Sequence, residues 1–189
     1  MGICFRASLA FAASLACAFP AQAKVLLTQD KALKLVFPGA RIERKTIFLT
    51  EGQSGQIERD AKAKAQSRLV SYYVGRSTTG ILGYAFFETH TVRTMPETFM
   101  AVVGPDGRIK MVELLAFYEP EDYRPHPRWL KIFEGRDLTG DQLWVKRGIR
   151  NIAGATLTAQ AIAEGVRRIL ATYRMIMTNE NKKSSLNSP

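Results

Sequence analysis

Between Leu69 and Phe117 the chain carries four runs rich in β-branched and aromatic residues, and two turn signals split them into pairs. LVSYYVG (69–75) and ILGYAFFETHTV (81–92) flank a Ser-Thr-Thr-Gly turn, and FMAVVG (99–104) and RIKMVELLAF (108–117) flank Pro105-Asp106-Gly107. Connections this short join antiparallel neighbours, because a parallel pair needs a crossover of a dozen or more residues. An antiparallel sheet has a face to bury, and the chain offers one long amphipathic stretch to cover it, from Thr156 to about Met177. Its apolar side is Ile162, Val166, Ile169, Leu170, Tyr173 and Met177. Gln160, Glu164, Arg167, Arg168 and Arg174 are expected away from that side, with Glu164 pairing to Arg168 one turn on.

The remaining segments read as shorter pieces. Thr28 to Phe37 has helical spacing, with Thr28 as cap and Pro38-Gly39 as stop. Arg41 to Thr50 is extended, and Ser54 to Ser67 is a polar, exposed helix. Tyr118 to Gly135 is interrupted by prolines and holds a short helix from Pro127 to Phe133. Gln142–Ile149 is predicted as a short extended piece, and Thr178–Pro189 as a frayed polar tail. No internal repeat is visible. The expected class is α+β: an antiparallel sheet built from hairpins, with the long C-terminal helix and the shorter helices packed on it, on one side.

Length and apolar content admit a core: 189 residues, 46% hydrophobic, suit one domain with short extras. No run reaches 18 apolar residues, which excludes a multi-span membrane protein. Residues 1–23 (MGICFRASLAFAASLACAFPAQA) have one positive charge, Arg6, a small-and-apolar stretch, and the Ala21-Gln22-Ala23 pattern of a signal peptidase site. Cleavage after Ala23 and export to a periplasm are expected. Cys4 and Cys17 would leave with that piece, so the mature domain, 24–177, would have no disulfide. A lipoprotein site at Cys17 is the weaker reading, since Ser14 stands where a large apolar residue is wanted. The chain has 27 Lys and Arg against 17 Asp and Glu, for a net charge of +10. Export argues against a nucleic-acid partner, and an anionic membrane surface or an acidic protein partner suits the charge better.

The stretch with most chemistry is Arg150-Asn151-Ile152-Ala153-Gly154-Ala155-Thr156-Leu157-Thr158. Gly154 lets the backbone turn sharply and a ligand come close. Thr156 falls at the start of the long helix, where amide N–H groups are unpaired and the dipole is positive. A phosphate placed there meets ready donors, and Lys146, Arg147 and Arg150 lie just upstream. A plain Thr cap after a glycine turn is the other reading of the same residues. Two isolated histidines, His90 and His126, do not make a metal site. Glu119, Glu121 and Asp122 read as acids opening a short helix rather than an acid/base pair. No G-x-S-x-G, H-E-x-x-H or P-loop pattern occurs.

Gly154-Ala155-Thr156, followed by Leu157-Thr158 and AQAIAEGVRRIL, resembles the motif of the FMN-binding domain family. That domain occurs in the flavin-carrying subunits of sodium-pumping NADH:quinone oxidoreductase and Rnf complexes and in small exported flavoproteins. The order of MAVVGPDGRIKMVELL, Tyr118-Glu119-Pro120, WLKIFEG, motif and final helix is similar as well, so the likeness spans Thr89–Ala171. The resemblance implies FMN as cofactor, joined by a phosphoester to Thr156 by a separate flavin transferase that uses FAD. It implies a binding site of Gly154, Ala155, Thr156, Leu157, Thr158 and Arg150, with no catalytic side chain and no metal. Two positions depart from the family pattern: Arg150 stands where an Asp is usual, and Ala153 where Ser or Thr is usual.

The expected function is an exported electron carrier between a membrane or periplasmic reductase and an acceptor. Arg147, Arg150 and Arg93 are candidates for positive charge near the flavin, and Phe117, Tyr118, Tyr123 and Trp129 for an aromatic wall. Two other functions stay open. One is a cofactor-free binding module on the same fold, and the other is a flavin-dependent reductase of a small substrate.

Overall fold

The computed structural model describes residues 24–186. The expected signal peptide, with both cysteines, and residues 187–189 lie outside the described residues. Six strands form one antiparallel sheet in the order β1-β6-β5-β4-β3-β2. They are β1 (Lys24–Val25), β2 (Arg41–Phe48), β3 (Leu69–Ser77), β4 (Gly80–Thr91), β5 (Pro96–Val103) and β6 (Ile109–Phe117). Strands β2 to β6 follow one another as a meander, and the two expected hairpins lie within it. β1 closes the opposite edge by pairing Lys24 with Phe117 and Val25 with Ala116. The α+β class is the one the sequence leads to.

Four α-helices accompany the sheet: α1 (Gln29–Val36), α2 (Glu51–Ala61), α3 (Pro127–Leu130) and α4 (Thr156–Leu186). A one-turn 3₁₀ stretch, Lys131–Phe133, continues α3. α4 covers the face made by Tyr72, Val74, Tyr84, Phe86, Phe99, Ala101 and Val103. The opposite face is not left bare. Ala32, Leu33 and Phe37 of the α1 segment pack on Ala85, Met100, Val102 and Leu115, so helices lie on both sides of the sheet, not one. The reason is β4 and β5 themselves: YAFF and FMAVV are apolar at successive positions, which puts oily side chains on both faces.

The seat of α1 is made by two glycines. Gly75 and Gly83 are direct partners across β3 and β4. A Cβ at Gly75 would lie 2.4 Å from the Phe37 ring, and one at Gly83 would lie 3.5 Å from it. The missing side chains form the slot that Phe37, 2% exposed, fills.

Several boundaries differ from the sequence reading, each for a local reason. α2 starts at Glu51 because Thr50 and Gln53 form a reciprocal capping box (3.2 and 2.9 Å), and it ends where Lys62 turns left-handed. Gln142–Ile149 is not a strand. It is a run of turns closed by one bridge, Val145 to Ile149. α4 continues nine residues past Met177 instead of fraying, with Glu180 reaching Lys45 of β2 at 3.3 Å. Lys, Glu and Asn tolerate a helix well enough once the preceding turns are packed.

Phe37→Ala is expected to cost about 3–5 kcal/mol in urea unfolding, since the slot cannot collapse around two glycines. Gly75→Val should destabilise comparably by the reverse route, driving a side chain into the same ring.

Candidate functional site

Trp129 and Gly154 set the approach to α4. The Trp129 Nε1–H donates to the Arg150 carbonyl at 2.6 Å and pins the incoming chain to α3. Gly154 then adopts φ +76°, a left-handed conformation that side chains disfavour, and a Cβ there would meet open space. Ala155 is buried at the cap position, and its carbonyl takes the first helical bond, from the Ala159 N–H at 3.1 Å. An alanine offers no side-chain oxygen. The N–H groups of Thr156, Leu157 and Thr158 accordingly find no acceptor among the described residues.

These donors open onto a groove of about 280 Å³ lined by Arg93, Tyr123, Gly154, Ala155, Thr156, Leu157 and Thr158. Thr156 is half-buried, and its Oγ1 accepts a hydrogen bond from Asn151 Nδ2 at 2.9 Å. The hydroxyl proton keeps the freedom to point elsewhere. Leu157 is 49% exposed at the rim, and Thr158 is buried beneath it. The Arg93 guanidinium lies over the Tyr123 ring, 4.8 Å from its centroid, and brings a cation to the wall facing the helix head.

Arg93 sits on the β4–β5 turn, which a single carboxylate shapes. Glu119 Oε1 accepts the N–H groups of Arg93, Thr94 and Met95 at 3.0, 2.8 and 2.9 Å. Burial pushes the Glu119 carboxyl up, but these three backbone donors outweigh it and hold the group below its ordinary range. A second interaction locks the base of the turn. His90 and Glu97 are cross-strand partners, and His90 Nε2 meets Glu97 Oε1 at 2.6 Å. Glu88, at 3.5 Å from His90 Nδ1, is held in turn by Arg168 of α4.

The structure thus brings Gly154, Ala155, Thr156, Leu157 and Thr158 together with Arg93 and Tyr123. Arg150 does not line the groove: its side chain is exposed, and its backbone carbonyl serves the Trp129 bond. Arg147 pairs with Asp141 at 2.8 Å on a different surface. Phe117 and Trp129 are buried in the core, and Tyr118 is half-buried outside the groove. Glu121 and Asp122 open a 3₁₀ turn, Glu121–Tyr123, and Glu121 pairs with Arg124. His126 caps α3, its Nδ1 accepting the Arg128 N–H at 3.1 Å.

Two arginines of α4 are not solvent-facing as expected. Arg167 is buried, donates to the Ala61 and Leu143 carbonyls at 2.8 and 3.1 Å, and stacks on Trp144 at 4.1 Å. Arg168 pairs with Glu88 rather than Glu164. Asn151, Glu88 and Glu97 support the site, and nothing in their local sequence marks them for that role. The one available signal was Glu97 opposite His90 across the Thr91–Pro96 turn.

No family model matches this chain, and no curated protein shows significant similarity to it.

Glu119→Gln should raise amide exchange at Arg93, Thr94 and Met95 and cost about 2 kcal/mol in urea unfolding at pH 7. An amide would turn two donors of its own toward three N–H groups if rotated, and one weak acceptor if not. Because the folded carboxyl titrates below its unfolded value near 4.5, its contribution is complete above that pH. The gap between parent and variant should close as the pH falls through the lower folded value.

Proposed function

We propose that the groove at the head of α4 receives the phosphoryl end of FMN, and that the protein is an exported flavin electron carrier. The observation that carries this reading is the Thr156 hydroxyl, reachable at a helix start whose three amide donors have no acceptor among the described residues and which faces Arg93. A phosphate diester there would accept from the Thr156, Leu157 and Thr158 N–H groups and lie in the field of the Arg93 cation. Gly154 leaves its side of the groove open, so the residues present fit such a group. Tyr123 and the Arg93 guanidinium over its ring line the groove, so a group entering it would meet this cation–aromatic pair.

The ester is the linkage that the resemblance to FMN-binding domains implies. It joins Thr156 Oγ1 to the phosphorus of the FMN half of FAD, releases AMP, and surrenders the hydroxyl proton, with a flavin transferase as catalyst. Asn151 would hold the acceptor oxygen in place while that bond forms. Bound flavin supplies reversible one- and two-electron transfer, and this chain supplies attachment and charge. A covalent anchor also prevents loss of the cofactor in a compartment without a flavin pool. The net charge of +10, or +9 once residues 1–23 with Arg6 are removed, suits an acidic redox partner or an anionic membrane surface.

A second reading is favoured by Arg150 and Ala153, which depart from the family motif. On it the fold is a binding module without cofactor.

Intact mass of the chain coexpressed with a flavin transferase separates the two. The carrier reading predicts a gain of one FMN less water, lost in Thr156→Ala. Asn151→Ala should slow the gain while leaving the fold intact. An unmodified mass on colourless protein would favour the binding module.

A further inference from the structure

A buried cluster of charged groups lies under the β4–β5 turn. Glu97 has no solvent exposure, and its Oε2 has no hydrogen-bond partner among the described residues. His90 is the ring between it and Glu88, and among the described residues His90 Nδ1 also makes no hydrogen bond. The charged groups around His90 come from four elements: Glu88 on β4, Glu97 on β5, Arg168 on α4, and the Glu119 carboxylate beyond β6. With His90 protonated, Glu88, Glu97, His90 and Arg168 sum to zero. With His90 neutral they sum to one buried negative charge, which a low-dielectric interior strongly disfavours.

This charge balance sits at the last rungs of the ladder before the turn. His90 and Glu97 form the second-last cross-strand pair, and the last is Thr91 with Pro96, whose carbonyl faces away from β4 and accepts the Tyr118 N–H at 3.2 Å. Beyond it the turn closes through one backbone bond, Val92 N–H to the Met95 carbonyl at 3.1 Å, and through Glu119.

We propose that the His90–Glu97 pair is a proton-operated latch on the turn that carries Arg93, closed at neutral pH and released in alkaline solution. The consequence for the groove rests on the flavin reading above, whereas the latch itself does not. Loss of the proton leaves the buried Glu97 carboxylate facing Glu88, which Arg168 offsets, and Glu119, which its three backbone donors and Arg93 offset, with no cation of its own. The pair parts, and Arg93 leaves the helix head. Burial alone would lower the His90 value, but its contacts with Glu88 and Glu97 win and raise it from 6.5 to about 9. The latch therefore adds its full stability below about pH 6.5 and loses it as the pH rises through about 9.

Amide and imidazole NMR of the chain following Ala23, titrated from neutral to strongly alkaline pH without flavin, tests the latch. The Arg93, Thr94 and Met95 amide signals should move with the same midpoint as the His90 ring. That response should vanish in His90→Gln and in Glu97→Gln. If either variant fails to fold, the parent titration still decides: turn amides that stay still while His90 titrates would overturn the latch. So would an unchanged response in a folded His90→Gln. A second arm measures FMN affinity of Thr156→Ala protein on both sides of the midpoint. Weakening by about tenfold on the alkaline side would tie the latch to the groove. Equal affinity on both sides would cut that tie. No FMN binding at any pH would sink the flavin reading, while the NMR titration would still decide the latch.

Discussion

Everything at the groove depends on how closely α4 lies on the sheet, and Gly165 decides that. A Cβ at Gly165 would come within 2.4 Å of Glu88 and 2.7 Å of Phe99, so only a hydrogen at this position lets the helix reach β4 and β5. Two arginines just beyond it fix the contact. Arg167 ties the helix to the end of α2 and to the Leu143 carbonyl, and Arg168 ties it to Glu88. A helix held so firmly at its middle presents its first turn at a defined place, beside the β4–β5 turn.

The same region resolves a conflict between burial and charge. Two glutamates are buried near that turn, and each has a different compensation. Glu119 is stabilised chiefly by three backbone amides, with the Arg93 charge a smaller contribution. Glu97 has no such donors and relies on His90. The head of α4 shows the converse arrangement, three amides without an acceptor among the described residues. One turn therefore has its amide donors satisfied from within, while those of the facing helix start have no acceptor among the described residues.

The hairpins, the Thr28 cap and the start of α4 were legible in the sequence because each is encoded by a few adjacent residues. Pro105-Asp106-Gly107 makes a turn wherever it sits, and Gly154 announces a left-handed bend before a helix. Of the site, the segment from Gly154 to Thr158 could be read for the same reason. Arg93 was one of three cationic candidates, and nothing local ranked it above Arg147 or Arg150. Its place depends on Glu119, 26 residues away. The Gln142–Ile149 piece misled because alternating apolar residues suit a turn-rich loop pinned to the core as well as they suit a strand. α2 begins earlier than its Lys- and Ala-rich run suggests, because the capping box that starts it lies upstream, at Thr50 and Gln53.

Local chain chemistry by itself determined which segments bend, which extend and where the last helix begins, since these follow from torsional preferences and side-chain period within a short stretch of residues. Tertiary structure alone decided that α1 covers the far face, that Arg167 and Arg168 turn inward, and that His90 meets two carboxylates. Those outcomes rest on strand register and on the depth of a helix against a sheet. Register and depth arise from packing between residues far apart in the chain, and no short stretch of sequence contains them.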